Sequence, residues 1–238
     1  TSLKVTLEVT KGSDVKIESG KVTVTSGEVT VPENAGIIES LTIEANASAN
    51  IIGGTVKSLT TGADAASKVN IRGGNVTVTK GKVTVPADAQ EITNLKIAEA
   101  ADANTIVDIN GGTVKSLTNG SDNATVNIRG GDVKVTEGNV TVPTDAGVIT
   151  SLTIGSNASA EIAGGTIKNL INNKTNADGK YATDNVTITA GEVTVTEGGV
   201  TIPQKTVLDE LTVGSETTVN NKGEIKKLIR EVDSTVQG

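Results

Sequence analysis

Short stretches of strict alternation dominate the chain. Val22-Thr23-Val24 and Val29-Thr30-Val31 put valine at every second position with a polar residue between, and Val76-Thr77-Val78 and Val83-Thr84-Val85 repeat the pattern. The same alternation resumes from Val133 and from Val193. Period-two alternation of β-branched residues predicts strands with one buried and one wet face, valine inward and Thr or Lys outward. Gly27, Gly81, Gly138 and Gly198 stand at the junctions, where a tight corner needs backbone freedom. Leu3–Val9 also alternates and predicts a first, incomplete coil. Helical spacing is confined to Ile225, Leu228, Ile229 and Val232. There a short capping helix competes with the strand that the repeat alignment gives for 225–228.

The alternating stretches belong to a four-fold repeat. Pro32, Pro86, Pro143 and Pro203 each close a V-T-V or V-T-I run, at separations of 54, 57 and 60 residues. Each Pro lacks an N–H for a ladder and marks where a strand gives way to a turn. Upstream stand VKIESG from Val15, VNIRGG from Val69 and from Val126, and VTITAG from Val186. Downstream come L-x-[IV] runs opened by Leu41, Leu95, Leu152 and Leu211, then GGTVKSL from Gly53 and Gly111, GGTIKNL from Gly164 and a degraded KGEIKKL from Lys222. The repeats run over about 15–68, 69–125, 126–185 and 186–238, after a partial coil at 1–14. I-x-x-G-x-[VI] occurs twice per unit, as Ile17-Gly20-Val22 and Ile51-Gly54-Val56 in the first; it recurs from Ile71, Ile109, Ile128, Ile162 and Ile188 and decays near Asn220. Two such half-units per repeat predict two solenoid coils per repeat, eight in all.

Composition favours that architecture over a string of small domains. The chain of 238 residues has no His, Cys, Met, Phe or Trp and one Tyr, Tyr181. An independent unit of this repeat length would need an aromatic or disulfide-supported core near the size where stability is marginal. Stacked coils instead lend their edges to one another. The expectation is an all-β fold, one right-handed parallel β-helix over 1–238, with a length on the order of 40 Å for eight coils. The net charge of −7 argues against nucleic acid or an anionic membrane as partner. No stretch approaches the ~18 apolar residues of a membrane span. The chain starts at Thr1 without a signal peptide and reads as a processed product or excised fragment.

The GGTVKSL and V-x-I-x-G-G runs with Thr-rich strands resemble repeat tracts of secreted and cell-wall proteins of Firmicutes and gut bacteria. Those tracts are similar to right-handed parallel β-helices of pectin-lyase-like type. The resemblance is one of repeat style along the whole chain. It implies an extracellular, bacterial-surface location, adhesive or spacer roles and adjoining domains of a larger parent chain.

Catalytic and metal chemistry finds little support. Without His or Cys, Ser-His-Asp and Cys-His arrangements and the usual zinc sites are impossible. No cofactor, no metal and no enzymatic activity are expected. Asp88 and Asp145 each follow a Pro by two residues and read as turn residues, while Arg72 and Arg129 occupy equivalent positions and suggest a stacked surface ladder. The Gly-Gly pairs match neither a phosphate loop nor a calcium roll, and read as corners. Thr30, Thr84, Thr141 and Thr201 suggest a regular outward row; the parallel row of Thr23, Thr77 and Thr194 is broken at Lys134.

The largest departure from the repeat follows Leu170. Val186 lies 16 residues on, where the first two copies use 10 and 9. This insertion carries Asn172, Asn173, Asn176, Asp178, Asp184 and Tyr181. A calcium-loop reading of Asn176-x-Asp178-Gly179 is undercut by Lys174 in the leading position. Asn176, Asp178, Tyr181 and Asp184 are the candidate partner-contact residues, since function concentrates in loops on rigid scaffolds. The functional expectation is a non-enzymatic spacer segment of a bacterial cell-surface or secreted protein. The alternative is an adhesin-type module binding a glycan or a host or cell-wall protein. An ice-binding or polysaccharide-acting β-helix is the weaker alternative. No nucleic-acid partner and no membrane insertion are expected.

Overall fold

The structure is a computed structural model, and it describes residues 4–10, 14–62, 68–231 and 233–237. The chain falls into two compact units, residues 1–126 and 127–238. The first contains β1 (Lys4–Glu8), β2 (Val15–Lys16), β3 (Gly20–Val31), β4 (Ile37–Ile51), β5 (Thr55–Thr61), β6 (Lys68–Ile71), β7 (Gly74–Lys80), β8 (Lys82–Val85), β9 (Glu91–Ile97), β10 (Ile106–Ile109) and β11 (Thr113–Asn119). The boundary falls within β12 (Thr125–Ile128). The second unit continues with β13 (Gly131–Val142), β14 (Val148–Ile162), β15 (Thr166–Asn172), β16 (Val186–Ile188), β17 (Glu192–Ile202), β18 (Val207–Asn221), β19 (Glu224–Arg230) and β20 (Thr235–Gln237). No helix occurs among the described residues.

Within each unit the strands pair parallel, each with a strand one coil further along. Leu41 sits beside Leu59, and Leu59 beside Val78, so a coil takes about 18 residues. Each coil supplies one segment to a front ladder and one to a back ladder. In the first unit the front ladder runs β1, 20–24 of β3, 37–43 of β4, β5, β7, β9 and β11. In the second it runs 131–135 of β13, 148–154 of β14, β15, 192–197 of β17, 207–213 of β18 and β19. Each unit is thus a parallel β-solenoid.

The coil number corrects the sequence expectation. Each repeat winds three coils rather than two, about twelve in all instead of eight. The reason lies in how the back ladder returns to the front. In the first three repeats two of the three returns use a left-handed glycine, such as Gly20 at φ 95° and Gly54 at φ 72°; in the fourth only Gly191 does so. The third uses proline: Pro32, Pro86, Pro143 and Pro203 each end a strand, and each carbonyl accepts the N–H three residues on. Counting the glycine motif alone misses one coil in three.

Alternation places the core where the pattern predicts it. Val22, Val24, Val29 and Val31 are buried in β3, and Val133, Val135, Val140 and Val142 in β13. Leu41, Ile43, Ile51, Leu152, Ile154 and Ile162 fill the longer coils with no exposed surface. Each such side chain contributes about 1.5–3 kcal/mol relative to full exposure. With no aromatic to accommodate, both sheets close over a narrow aliphatic interior.

The ends differ. Val5 and Leu7 of β1 pair with Val22 and Val24, as expected of a first partial coil; Leu3 lies outside the described residues. At the other end Ile225, Leu228 and Ile229 lie in strand β19 and form no capping helix; Val232 lies outside the described residues. Leu228 and Ile229 remain 38% and 41% exposed, because the last front rung has no successor among the described residues.

Candidate functional site

The insertion at 173–185 is seated by two buried amides. Asn172 ends β15 at the inward position that Ile154 occupies one coil earlier. Its Nδ2 donates to Gly199 O at 2.6 Å, Asn185 Oδ1 at 2.8 Å and Ala182 O at 3.3 Å. Its Oδ1 accepts from Asn185 Nδ2 at 2.9 Å and from Lys174 N at 3.2 Å. Asn185 also donates to Ala158 O at 3.0 Å. An unsatisfied amide here would cost several hydrogen bonds' worth of desolvation, so this reciprocal pair holds both ends of the insertion against the scaffold.

Between these anchors the chain folds back on itself. Thr175 and Tyr181 form an antiparallel bridge, Asn176 N donates to Lys180 O at 2.7 Å, and Gly179 supplies the left-handed turn residue at φ 79°. Asn176 and Asp178 are exposed at the tip. Asp178 lies 3.7 Å from Lys180 Nζ and accepts the Lys180 N–H at 3.3 Å. Asp184 pairs with Lys174 at 3.0 Å; that hydrogen bond, opposed by some burial, draws its carboxyl below the usual range. Tyr181 donates its hydroxyl to Glu197 Oε1 at 2.8 Å. The hydrogen bond to Glu197, with burial and the charges of Glu197 and Glu216, pushes the phenol up to about 12.

Each of the four candidate residues is therefore engaged separately: two acids by lysines, the phenol by a glutamate, Asn176 through its backbone in the turn. No group of three or more acids with metal-holding geometry occurs among the described residues. The arrangement is a braced hairpin that presents mixed charge.

The role of Asn172 as an anchor was not legible in the sequence, where the run Leu170-Ile171-Asn172-Asn173-Lys174 reads as a solvated turn. A signal exists in the repeat itself. Where Ile43, Ile97 and Ile154 end the second front rung, the third ends in Thr61, Asn119 and Asn172, and Val213 is followed by Arg230. The first three polar residues are buried. Thr61 Oγ1 donates to Lys82 O at 3.2 Å, and Asn119 Oδ1 accepts from Ser121 N at 3.3 Å. Asn172 elaborates that fixture for a longer loop.

Two expected surface ladders are redistributed by the three-coil repeat. Arg72 and Arg129 belong to different units; Arg72 pairs with Asp88 at 2.6 Å, and Arg129 with Asp145. The hydrogen bond from Arg72 holds the Asp88 carboxyl below its usual range. The Pro-turn acids are thus ion-pair partners of the arginine one coil earlier. Thr30 and Thr84 are not neighbours either: Thr30 sits beside Lys16 and Asn50, Thr84 beside Asn70 and Asp108. The stacked threonines are instead Thr6, Thr23, Thr42 and Thr60, on successive front rungs.

Comparison with known proteins finds no matching family model, no matching curated protein and no matching solved structure.

Proposed function

We propose that this chain is a structural spacer or scaffold segment of a bacterial cell-surface or secreted protein. The observation that carries the reading is the largely aliphatic interior of each unit, stacked coil on coil, in which no buried side-chain polar atom among the described residues lacks a partner. Such a solenoid transmits load through a row of parallel backbone hydrogen bonds and needs no ligand to fold. Right-handed winding in the pectin-lyase-like style is part of this proposal, supported by the strong bias of parallel crossovers. So is the surface location, supported by the style of the repeats.

A second reading is an adhesin module recognising a glycan or a host or cell-wall protein through the 173–185 hairpin. It is favoured by the buried Asn172–Asn185 pair, which spends two core positions on holding one loop in place. The discriminating experiment is a binding screen against glycans and matrix proteins, using the intact chain and a variant with residues 173–184 shortened to the first-copy length. The scaffold reading predicts no saturable binding that depends on the loop. A saturable hit abolished by shortening would replace it with the adhesin reading.

A further inference from the structure

The outer side of the front ladder in the first unit differs chemically from the rest of an acidic chain. On β1 and β3 to β5 its outward residues are Lys21, Ser40 and Ser58 beside Thr6, Thr23, Thr42 and Thr60; past a register shift, where Thr55 pairs with Asn75 and Thr60 with Lys80, they continue as Asn75, Asn94 and Ser116 beside Thr77, Lys96 and Thr118. Not one carboxylate interrupts them. Glu39 and Glu91 on the same strands are already held, by Lys57 at 2.9 Å and Lys115 at 2.7 Å. Lys21 and Lys96 are exposed and form no ion pair among the described residues. At the repeat-equivalent positions the second unit carries Asp132, Glu192 and Glu210, so the absence of acid is not a property of the repeat.

Two grooves open on this face, and each contains one of the unpaired lysines. One, of about 290 Å³, is lined by Lys21, Thr23, Ser40 and Thr42. The other, of about 260 Å³, includes Asn75, Thr77, Asn94 and Lys96 in its lining. Asn94 Nδ2 donates to Asn75 Oδ1 at 2.6 Å, which orients the pair and leaves the Asn75 amide nitrogen and a second Asn94 N–H available. Lys21 and Lys96 are four rungs apart, about 19 Å at the usual strand spacing.

We infer that this face binds a linear anionic glycan lying along the stacked rungs, with its carboxylate or sulfate groups at Lys21 and Lys96 and its hydroxyls on the intervening Ser, Thr and Asn side chains. Hydroxyl and amide rows offer donors and acceptors at every rung, which suits a polymer with hydroxyls on every unit. The lysines supply the anion preference, in a place where no carboxylate of the ladder opposes it. The face has no aromatic platform, so affinity comes from many weak polar contacts along a chain and not from one stacked ring. This inference concerns a surface separate from the 173–185 hairpin and does not depend on either reading above.

The test uses the full chain against four immobilised polymers: alginate for carboxylate, dextran sulfate for sulfate, dextran as the neutral glycan and polyphosphate as an anion without sugar hydroxyls. Binding to alginate or dextran sulfate is expected to fall as salt is raised, since exposed charges are screened. The double variant Lys21→Gln, Lys96→Gln should lose roughly tenfold or more in affinity, because two charged hydrogen-bond donors are removed. Thr42→Val with Thr77→Val should also weaken binding. Lys82→Gln with Lys134→Gln changes net charge equally at other surfaces and should leave binding intact. Failure to bind either acidic glycan would overturn the inference. So would equal loss in the two lysine variants, or binding of dextran or polyphosphate as tight as that of the acidic glycans. All substitutions point outward, and an unchanged thermal transition verifies that the fold is retained.

Discussion

Asn172 and Asn185 illustrate how one polar residue type takes opposite roles in adjacent positions. Asn173 and Asn176 are exposed in the same short segment, while Asn172 is fully buried and makes five hydrogen bonds. Replacing Asn172 with Ala removes the side-chain donor to Asn185 Oδ1 and to the Gly199 carbonyl, and leaves the Asn185 amide only its bond to the Ala158 carbonyl. The expected cost is about 2–4 kcal/mol, from one or two buried polar groups left unsatisfied. Urea unfolding measures that loss, and limited trypsin digestion should then cut at Lys174 or Lys180 far faster than in the parent. Tyr181 gives a second test, because it is the chain's only aromatic residue and its ultraviolet titration is free of overlap. The phenol should ionise near 12 in the folded chain, against an ordinary value near 10. A raised folded pKa means the contribution to stability is complete below about pH 10 and disappears as pH rises through 12. Glu197→Gln should bring the titration back toward the ordinary value; an unchanged midpoint would show that the Glu197 contact is not its cause.

At the scale of the element, the corners decide the architecture. The strand segments were legible because valine alternates with Thr or another polar residue, and alternation maps directly onto inside and outside. The coil count was not, because one return in three is made by a Pro turn rather than a left-handed glycine, and a motif search sees only the glycine form. The anchor amide was hidden for a different reason: Asn in a polar run has the same sequence signature whether water or the protein satisfies it. Of the four candidate contact residues, the segment was legible from its extra length, but its pairings with Lys174, Lys180 and Glu197 depend on folding back and could not be read from spacing. Gly198 marks a corner where geometry allows no side chain. Its φ is 98°, and a Cβ there would collide with the Asn172 carbonyl. Gly198→Ala should therefore destabilise by roughly 1–3 kcal/mol, from backbone strain before any repacking. The same substitution at Gly179, which meets nothing within 4 Å, should cost less, and comparing the two midpoints separates crowding from conformation alone.

At the largest scale, cohesion within each unit comes from coils that share an interior, so damage should spread. Val85 and Val142 are fully buried, and Val85 sits beside Ile109, Val142 beside Ile162. Val85→Asp or Val142→Asp places an uncompensated carboxylate in that interior, at a cost of roughly 3–5 kcal/mol. Hydrogen exchange should show protection lost over more than one coil around the substitution; loss confined to a single strand would argue against a shared core. The most direct test of the architecture uses the absence of cysteine as a clean background. In the three-coil repeat Thr42 sits beside Thr60 and Thr194 beside Thr212, whereas Thr30 and Thr84 are three rungs apart, about 14 Å. Paired cysteines at 42 and 60, or at 194 and 212, lie within disulfide reach and should cross-link on mild oxidation without loss of the folded state, while cysteines at 30 and 84 should not. Efficient closure of the 30–84 pair, or failure of both adjacent pairs in a folded chain, would contradict the three-coil solenoid.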